Sequence, residues 1–197
     1  MPKDGVVDLR LRSVYLNKPN LITRLPAVKY FLIGFGGFLS AIAFLFLMVL
    51  IGGALTSPSH RIERSVEIGA TPEVIYATIT DFAATPSWRS DILKVEMLSK
   101  PGERPKWREY DKDEMNWAFE AEKMDPPNSL VIRIAEPNPS VEGSWTISIT
   151  PAGSGSRVTL VEEGIVHNLV FRFLGKLFFD QSATIDAYLE ALRKKYK

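Results

Sequence analysis

Residues 70–92 read ATPEVIYATITDFAATPSWRSDI. The stretch opens as a helix should. Thr71 can place its hydroxyl on a free backbone N–H, Pro72 at the first helical position forfeits no hydrogen bond, and Glu73 suits the positive helix end. Position 74 is Val, so the reciprocal Glu or Gln of a full capping box is missing. Val74, Ile75, Thr78 and Ile79 give an apolar stripe. Pro86 soon closes the region, and a second short helix around it is expected to carry Trp88. A helix this short, followed at once by a large aromatic, reads as a cover for something.

What it covers is read on either side. Upstream, residues 61–68 (RIERSVEI) alternate, with Ile62, Val66 and Ile68 on one face, as in a half-buried strand. Downstream, strands are expected at residues 93–99, 106–111, 116–124, 130–135, 142–150 and 157–166. Turn signals divide them at Lys100-Pro101-Gly102-Glu103, Asp125-Pro126-Pro127-Asn128 and Pro151-Ala152-Gly153-Ser154-Gly155. The chain then enters a long helix over 168–195. Leu174, Leu177, Phe178, Ile185, Tyr188, Leu189 and Leu192 share one of its faces at helical spacing. Evenly spaced hairpins imply an antiparallel meander, and such a sheet needs one face covered. The expected class is α+β: a curved antiparallel sheet around a long C-terminal helix.

This order of elements resembles the START-like, or SRPBCC, superfamily, most nearly its polyketide cyclase/dehydrase and lipid-transport branch. The pieces that carry the resemblance are Ala70-Thr71-Pro72-Glu73-Val74-Ile75-Tyr76, Thr80-Asp81-Phe82, Pro86-Ser87-Trp88, and Trp145-Thr146-Ile147 with Arg157-Val158-Thr159-Leu160 beyond a Gly/Ser turn. It runs from about Arg61 to Lys195. The resemblance implies a helix-grip fold with a cavity between sheet and helix, and relatives that bind lipids, quinones, polyketides or hormones. The helix from Pro72 would then seal one end of the sheet, with Trp88 near the rim.

Ahead of this domain, residues 30–51 read YFLIGFGGFLSAIAFLFLMVLI without a charge. As a helix they span roughly 33 Å at ~1.5 Å per residue, about the thickness of a bilayer's hydrocarbon core. One transmembrane helix is expected over 30–55, with residues 1–29 a basic arm, 56–60 a linker and 61–197 the helix-grip domain. A cleaved signal peptide is the rival, although the leading region and the apolar run are both long for one. Gly36 with Ser40, and Gly37 with Ala41, are spaced four apart, so each pair of small residues shares a face on which a transmembrane partner subunit can pack.

Charge sets the orientation and excludes one class of partner. Residues 1–29 carry six basic and two acidic groups, net +4; the remaining 18 basic and 21 acidic groups give −3. Lys and Arg gathered before the apolar run place the N-terminus in the cytoplasm and the domain on the periplasmic side of the inner membrane. A slightly acidic domain argues against nucleic acid, whose phosphates need concentrated positive charge. Within the arm, residues 7–12 (VDLRLR) alternate like a strand that would need another protein's edge; the alternative is a disordered basic arm on anionic lipid.

No catalytic set is assembled. Cysteine is absent, which excludes disulfides, thiolate metal sites and cysteine nucleophiles. Of two histidines, His60 falls in the linker and His167 where the last strand meets the long helix. Glu162 and Glu163 are adjacent on a strand and face opposite ways. Asp81 and Glu120 are candidate acids within a cavity, but read more readily as a helix-end group and a solvent-facing strand residue. No metal or cofactor is called for. The aromatics say more: Trp117, Phe119 and Ala121 share a face opposite Glu120 and Glu122, and apolar aromatic lining with a few polar groups describes a small-molecule pocket. The expected lining is Trp88, Trp117, Phe119, Trp145 and His167. The residues favour a membrane-tethered module for a hydrophobic small molecule. An accessory subunit of a larger membrane complex is the alternative, and a cyclase or aromatase rests on family analogy alone.

Overall fold

The computed structural model describes residues 25–112, 115–136, 140–178, 180 and 182–197. The basic arm and its alternating residues 7–12 lie outside that set. A long apolar helix, α1 (Leu25–Leu55), comes first. It is followed by strand β1 (Ser59–Ile68), helix α2 (Pro72–Thr80), a 3-10 helix (Phe82–Ser87), strands β2 (Ile92–Met97), β3 (Lys106–Asp111), β4 (Asn116–Asp125), β5 (Ser129–Ile134), β6 (Val141–Ala152) and β7 (Gly155–Val166), and helices α3 (Leu169–Phe178) and α4 (Ala183–Lys195). The chain divides into two units between Leu47 and Met48.

In the first unit, residues 28–47 of α1 are all exposed. Val28–Leu55 is long and apolar enough to cross a membrane, a test that a signal sequence near the N-terminus also passes. The small residues Gly36, Gly37, Ser40 and Ala41 are exposed on it. The Ser40 hydroxyl donates to the Gly36 carbonyl at 2.9 Å, so its one polar group is satisfied within the helix.

In the second unit the seven strands form one antiparallel sheet in the order β1-β7-β6-β5-β4-β3-β2. Each strand from β2 to β6 pairs antiparallel with the next in the chain, and β1 lies at the edge beside β7. Alternation puts Leu130, Ile132, Ile147, Ile149, Val158 and Leu160 on one face. Ile75 and Ile79 of α2, Phe82 of the 3-10 helix, and Ile185, Tyr188, Leu189 and Leu192 of α4 close over them. Burying each such side chain contributes about 1.5–3 kcal/mol.

Three expectations are corrected. The long C-terminal helix is two helices. The Asp180 carboxylate accepts the Ser182 backbone N–H at 2.9 Å and lies at the same distance from its hydroxyl, so α4 starts afresh at Ala183. Ile185, Tyr188, Leu189 and Leu192 meet the sheet as expected, while Leu177 and Phe178 stay exposed. Secondly, β1 begins at Ser59 rather than 61, because Pro58 already accepts Val166 N–H at 2.8 Å. His60 is therefore a strand residue and not part of a linker. Thirdly, Thr71 precedes α2 in extended conformation but makes no side-chain capping bond. The N–H of Glu73 and the Thr71 hydroxyl instead turn to the Glu73 carboxyl and hold it below its usual range.

Candidate functional site

The concave face of the sheet carries the polar and aromatic residues of interest, and Tyr188 of α4 stands among them. Its ring meets Trp88 edge-on at 5.2 Å and Trp145 edge-on at 5.5 Å. The Arg89 guanidinium lies over the same ring, 5.4 Å from its centre. Burial pushes the Tyr188 phenol well above its usual range, against the opposing pull of Arg89, so at neutral pH it is a hydroxyl.

Two similar triplets contact or surround this ring. Glu109, two residues beyond Trp107 on β3, accepts Trp107 Nε1–H at 3.1 Å and Arg89 Nη1–H at 2.9 Å. Arg89 also donates to Asp91 at 2.6 Å. Burial alone would lower the Arg89 pKa, but Glu109 and then Asp91 outweigh it and hold the charge. On β7, Glu162 accepts Trp145 Nε1–H at 2.9 Å and lies 3.0 Å from His60 Nε2. Gly164 is needed beside it, since a Cβ there would strike the His60 ring. Each inward carboxylate is thus met by an indole N–H and by a second nitrogen group, the Arg89 guanidinium or the His60 imidazole. A charged group in a largely apolar interior requires such pairing.

The pairing is not complete. Trp88 Nε1, Arg89 Nε and the Tyr76 hydroxyl are buried polar groups with no partner among the described residues. Leaving such a donor unmet costs about 1–3 kcal/mol. Two of the three lie on consecutive residues packed against Tyr188. Near α4 the face is filled by side chains, whereas Trp117, Phe119, Ile134 and Trp145 remain only half-buried on it. A depression of about 970 Å³ lies at the end of the sheet where β1 begins and β7 ends, and both strand phases line it: Ser59, Arg61, Glu163 and Ile165 from one, His60, Ile134 and Gly164 from the other.

Of the residues expected to line a pocket, Trp88, Trp145 and Phe119 pack against the core cluster and Trp117 shares their face. His167 stands apart: it is exposed past the end of β7, with Nε2 2.9 Å from Glu142. Glu162 and Glu163 do face opposite ways, Glu163 reaching Arg61 at 3.3 Å. Asp81 caps the 3-10 helix by accepting Ala84 N–H at 3.3 Å. Glu120 pairs with Arg104 and Arg133 at 3.3 and 3.4 Å on the outer side. The residue pattern alone does not single out His60, Arg89, Glu109 and Tyr188 as site residues. Strand phase was the available signal for two of them: His60 is two residues before inward Ile62, and Glu109 two after inward Trp107.

Residues 59–197 match the family described as polyketide cyclase/dehydrase and lipid transport. The chain belongs to that family. Its members' fold is seen again in solved structures. A START superfamily protein from Mycobacterium smegmatis superposes with a TM-score of 0.55 at 17% identity, covering 70% of this chain and 97% of its own. Truncated norcoclaurine synthase from Thalictrum flavum gives 0.56 at 15% identity, with 72% and 95% covered. An aromatase/cyclase from a Streptomyces species gives 0.56 at 13% identity, with 70% and 93% covered. At these identities the likeness concerns the START-like fold of the polyketide cyclase/dehydrase family and not its chemistry. No curated protein matches the chain in sequence.

Proposed function

We propose that this chain is a membrane-tethered START-like module that holds a hydrophobic small molecule, such as a lipid or quinone, against the concave face of its sheet. The observation that carries this is the pairing of half-buried aromatics, Trp117, Phe119 and Trp145, with the unpartnered donors Trp88 Nε1 and Arg89 Nε. A ligand with an apolar body and one acceptor oxygen would cover the first and satisfy the second. Family membership and START-like neighbours support a ligand-binding role. The tether is α1, and the Lys and Arg of the leading arm favour a periplasmic domain. His167 belongs to this proposal only as an outlying contact at the sheet end. Organic extraction of the purified full-length protein, followed by mass spectrometry, tests it. An apolar molecule in fixed ratio to protein is expected; a clean extract would count against the reading.

The exposed small-residue face of α1 favours a second reading, in which the chain is an accessory subunit of a membrane complex. Under it, Gly37→Leu releases the chain from its co-purifying partners, and unchanged co-purification removes the reading.

A further inference from the structure

Helix α3 is amphipathic without a protein core to explain it. Leu169, Val170, Phe171, Phe173, Leu174, Leu177 and Phe178 occupy one broad arc, and Arg172 and Lys176 the other. None of its residues is buried, and Phe171, Leu177 and Phe178 are 60%, 57% and 74% exposed. Phe171 and Phe178 are seven residues apart, two turns up the same face, with Leu174 between them. Three aromatic or branched side chains left open on one short helix amount to an apolar patch of the kind that soluble surfaces avoid.

A second observation says where this helix is held. Arg172 Nε and Nη2 donate to the Val166 carbonyl at 3.0 and 2.8 Å, while Nη1 donates to the carbonyls of Gly53 at 3.3 Å and Thr56 at 3.4 Å. The Gly53 carbonyl, which also accepts the Thr56 N–H at 3.3 Å, and the Thr56 carbonyl are thereby met by a cation, which suits the negative end of α1. Contact is close. A Cβ at Gly53 would strike the Leu169 carbonyl, and one at Gly52 would strike the Phe173 ring. So α3 is bolted to the last turn of α1. If Val28–Leu55 spans a bilayer, its 28 residues run roughly 42 Å at ~1.5 Å each, longer than the hydrocarbon core. Gly52 to Thr56 then falls at the boundary between acyl chains and water.

We propose that α3 is an interfacial membrane helix, lying in the leaflet from which α1 emerges, with Phe171, Leu174, Leu177 and Phe178 among the acyl chains and Lys176 toward the headgroups. The proposal rests on α1 being a retained span. Its occupant is the bilayer because α3 is hydrogen-bonded to the last turn of α1, at the end of the segment long and apolar enough to cross a membrane. It brings the end of the sheet where β1 begins and β7 ends to the membrane surface, so that an apolar molecule could pass between lipid and the concave face.

The absence of cysteine allows single nitroxide labels to be placed cleanly. Full-length Phe171→Cys, Phe178→Cys, Lys176→Cys, Leu45→Cys and Arg157→Cys would be labelled in phosphatidylcholine vesicles and read by collision with oxygen, which favours lipid, and with a nickel chelate, which favours water. The expected result is severalfold higher oxygen-to-nickel accessibility at 171, 178 and 45 than at 176 and 157. Labels at 171 and 178 that match 157 while 45 reads lipid would overturn the interfacial helix and leave the tether standing. Labels at 171 and 178 shielded from both reagents would overturn it in favour of a protein surface covering α3. A water-exposed label at 45 would overturn the tether itself, and this proposal with it.

Discussion

Arg89 lies over the ring of Tyr188, 5.4 Å from its centre, while its Nη1 donates to Glu109 at 2.9 Å. The pair is well covered, with side chains 8% and 13% exposed, whereas Asp91 on the same guanidinium is half exposed. Removing one member of a covered ion pair leaves the other charge stranded. Glu109→Ala should therefore destabilise the protein by about 3 kcal/mol, and Asp91→Ala by no more than about 1 kcal/mol. Urea titration of the full chain in detergent, followed by tryptophan fluorescence, measures both. Equal losses would mean that Glu109 is not the principal partner.

His60 and Gly164 are opposite each other across the β1–β7 ladder. The glycine leaves room for the imidazole that reaches Glu162. Gly164→Ala should cost about 1–3 kcal/mol by overpacking. In a His60→Ala background the same change should cost much less. A double-mutant cycle reads the coupling, and simple additivity would place the ring elsewhere.

Trp107 and Trp117 are both inward tryptophans, yet they should behave differently. Trp107 is 2% exposed and stacks on Phe82 at 3.8 Å between ring centres. Truncating it to Ala should cost about 3–5 kcal/mol. Trp117 is half-buried, so Trp117→Ala should lower ligand retention while shifting stability far less. If the two variants lose stability equally and retain ligand equally, Trp117 is ordinary core.

The break between α3 and α4 carries a pH dependence. The Ser182 backbone N–H, and then its hydroxyl, hold the Asp180 carboxyl below its ordinary 3.8. A depressed carboxylate contributes stability that is present above the unfolded value and is lost as pH falls through the folded one. Wild type should lose that share only in acid below 3.8, and Asp180→Ala should lack this component of the acid transition. Circular dichroism melts of both proteins across that window would show it; superimposable pH profiles would refute it.

Much of the fold was legible because strand alternation and turn residues are local. The strand expected at 106–111 is found at Lys106–Asp111, and the short second helix is present, with Trp88 just past its end rather than within it. The division of the C-terminal helix was not legible. Leu174, Leu177 and Phe178 continue the stripe of Ile185 and Leu189 at helical spacing, and the polar Asp180 and Ser182 could sit on a helix surface. Two things decide the matter: Asp180 takes the N–H and hydroxyl of Ser182, and Arg172 ties α3 to Val166 and, over a hundred residues earlier in the chain, to Gly53 and Thr56. The aromatic part of the candidate site was visible for the same local reason as the strands. Its charged part was not, since Arg89 and Glu109 meet only through the curl of the sheet.

The central claim, that this family member carries an apolar molecule on the concave face of a tethered domain, is tested most directly by native mass spectrometry of the full-length protein released gently from its own membranes. The account predicts a single chain bearing a small apolar molecule, which Trp117→Ala diminishes. A bare chain, or one whose added mass consists only of other protein chains, would contradict it.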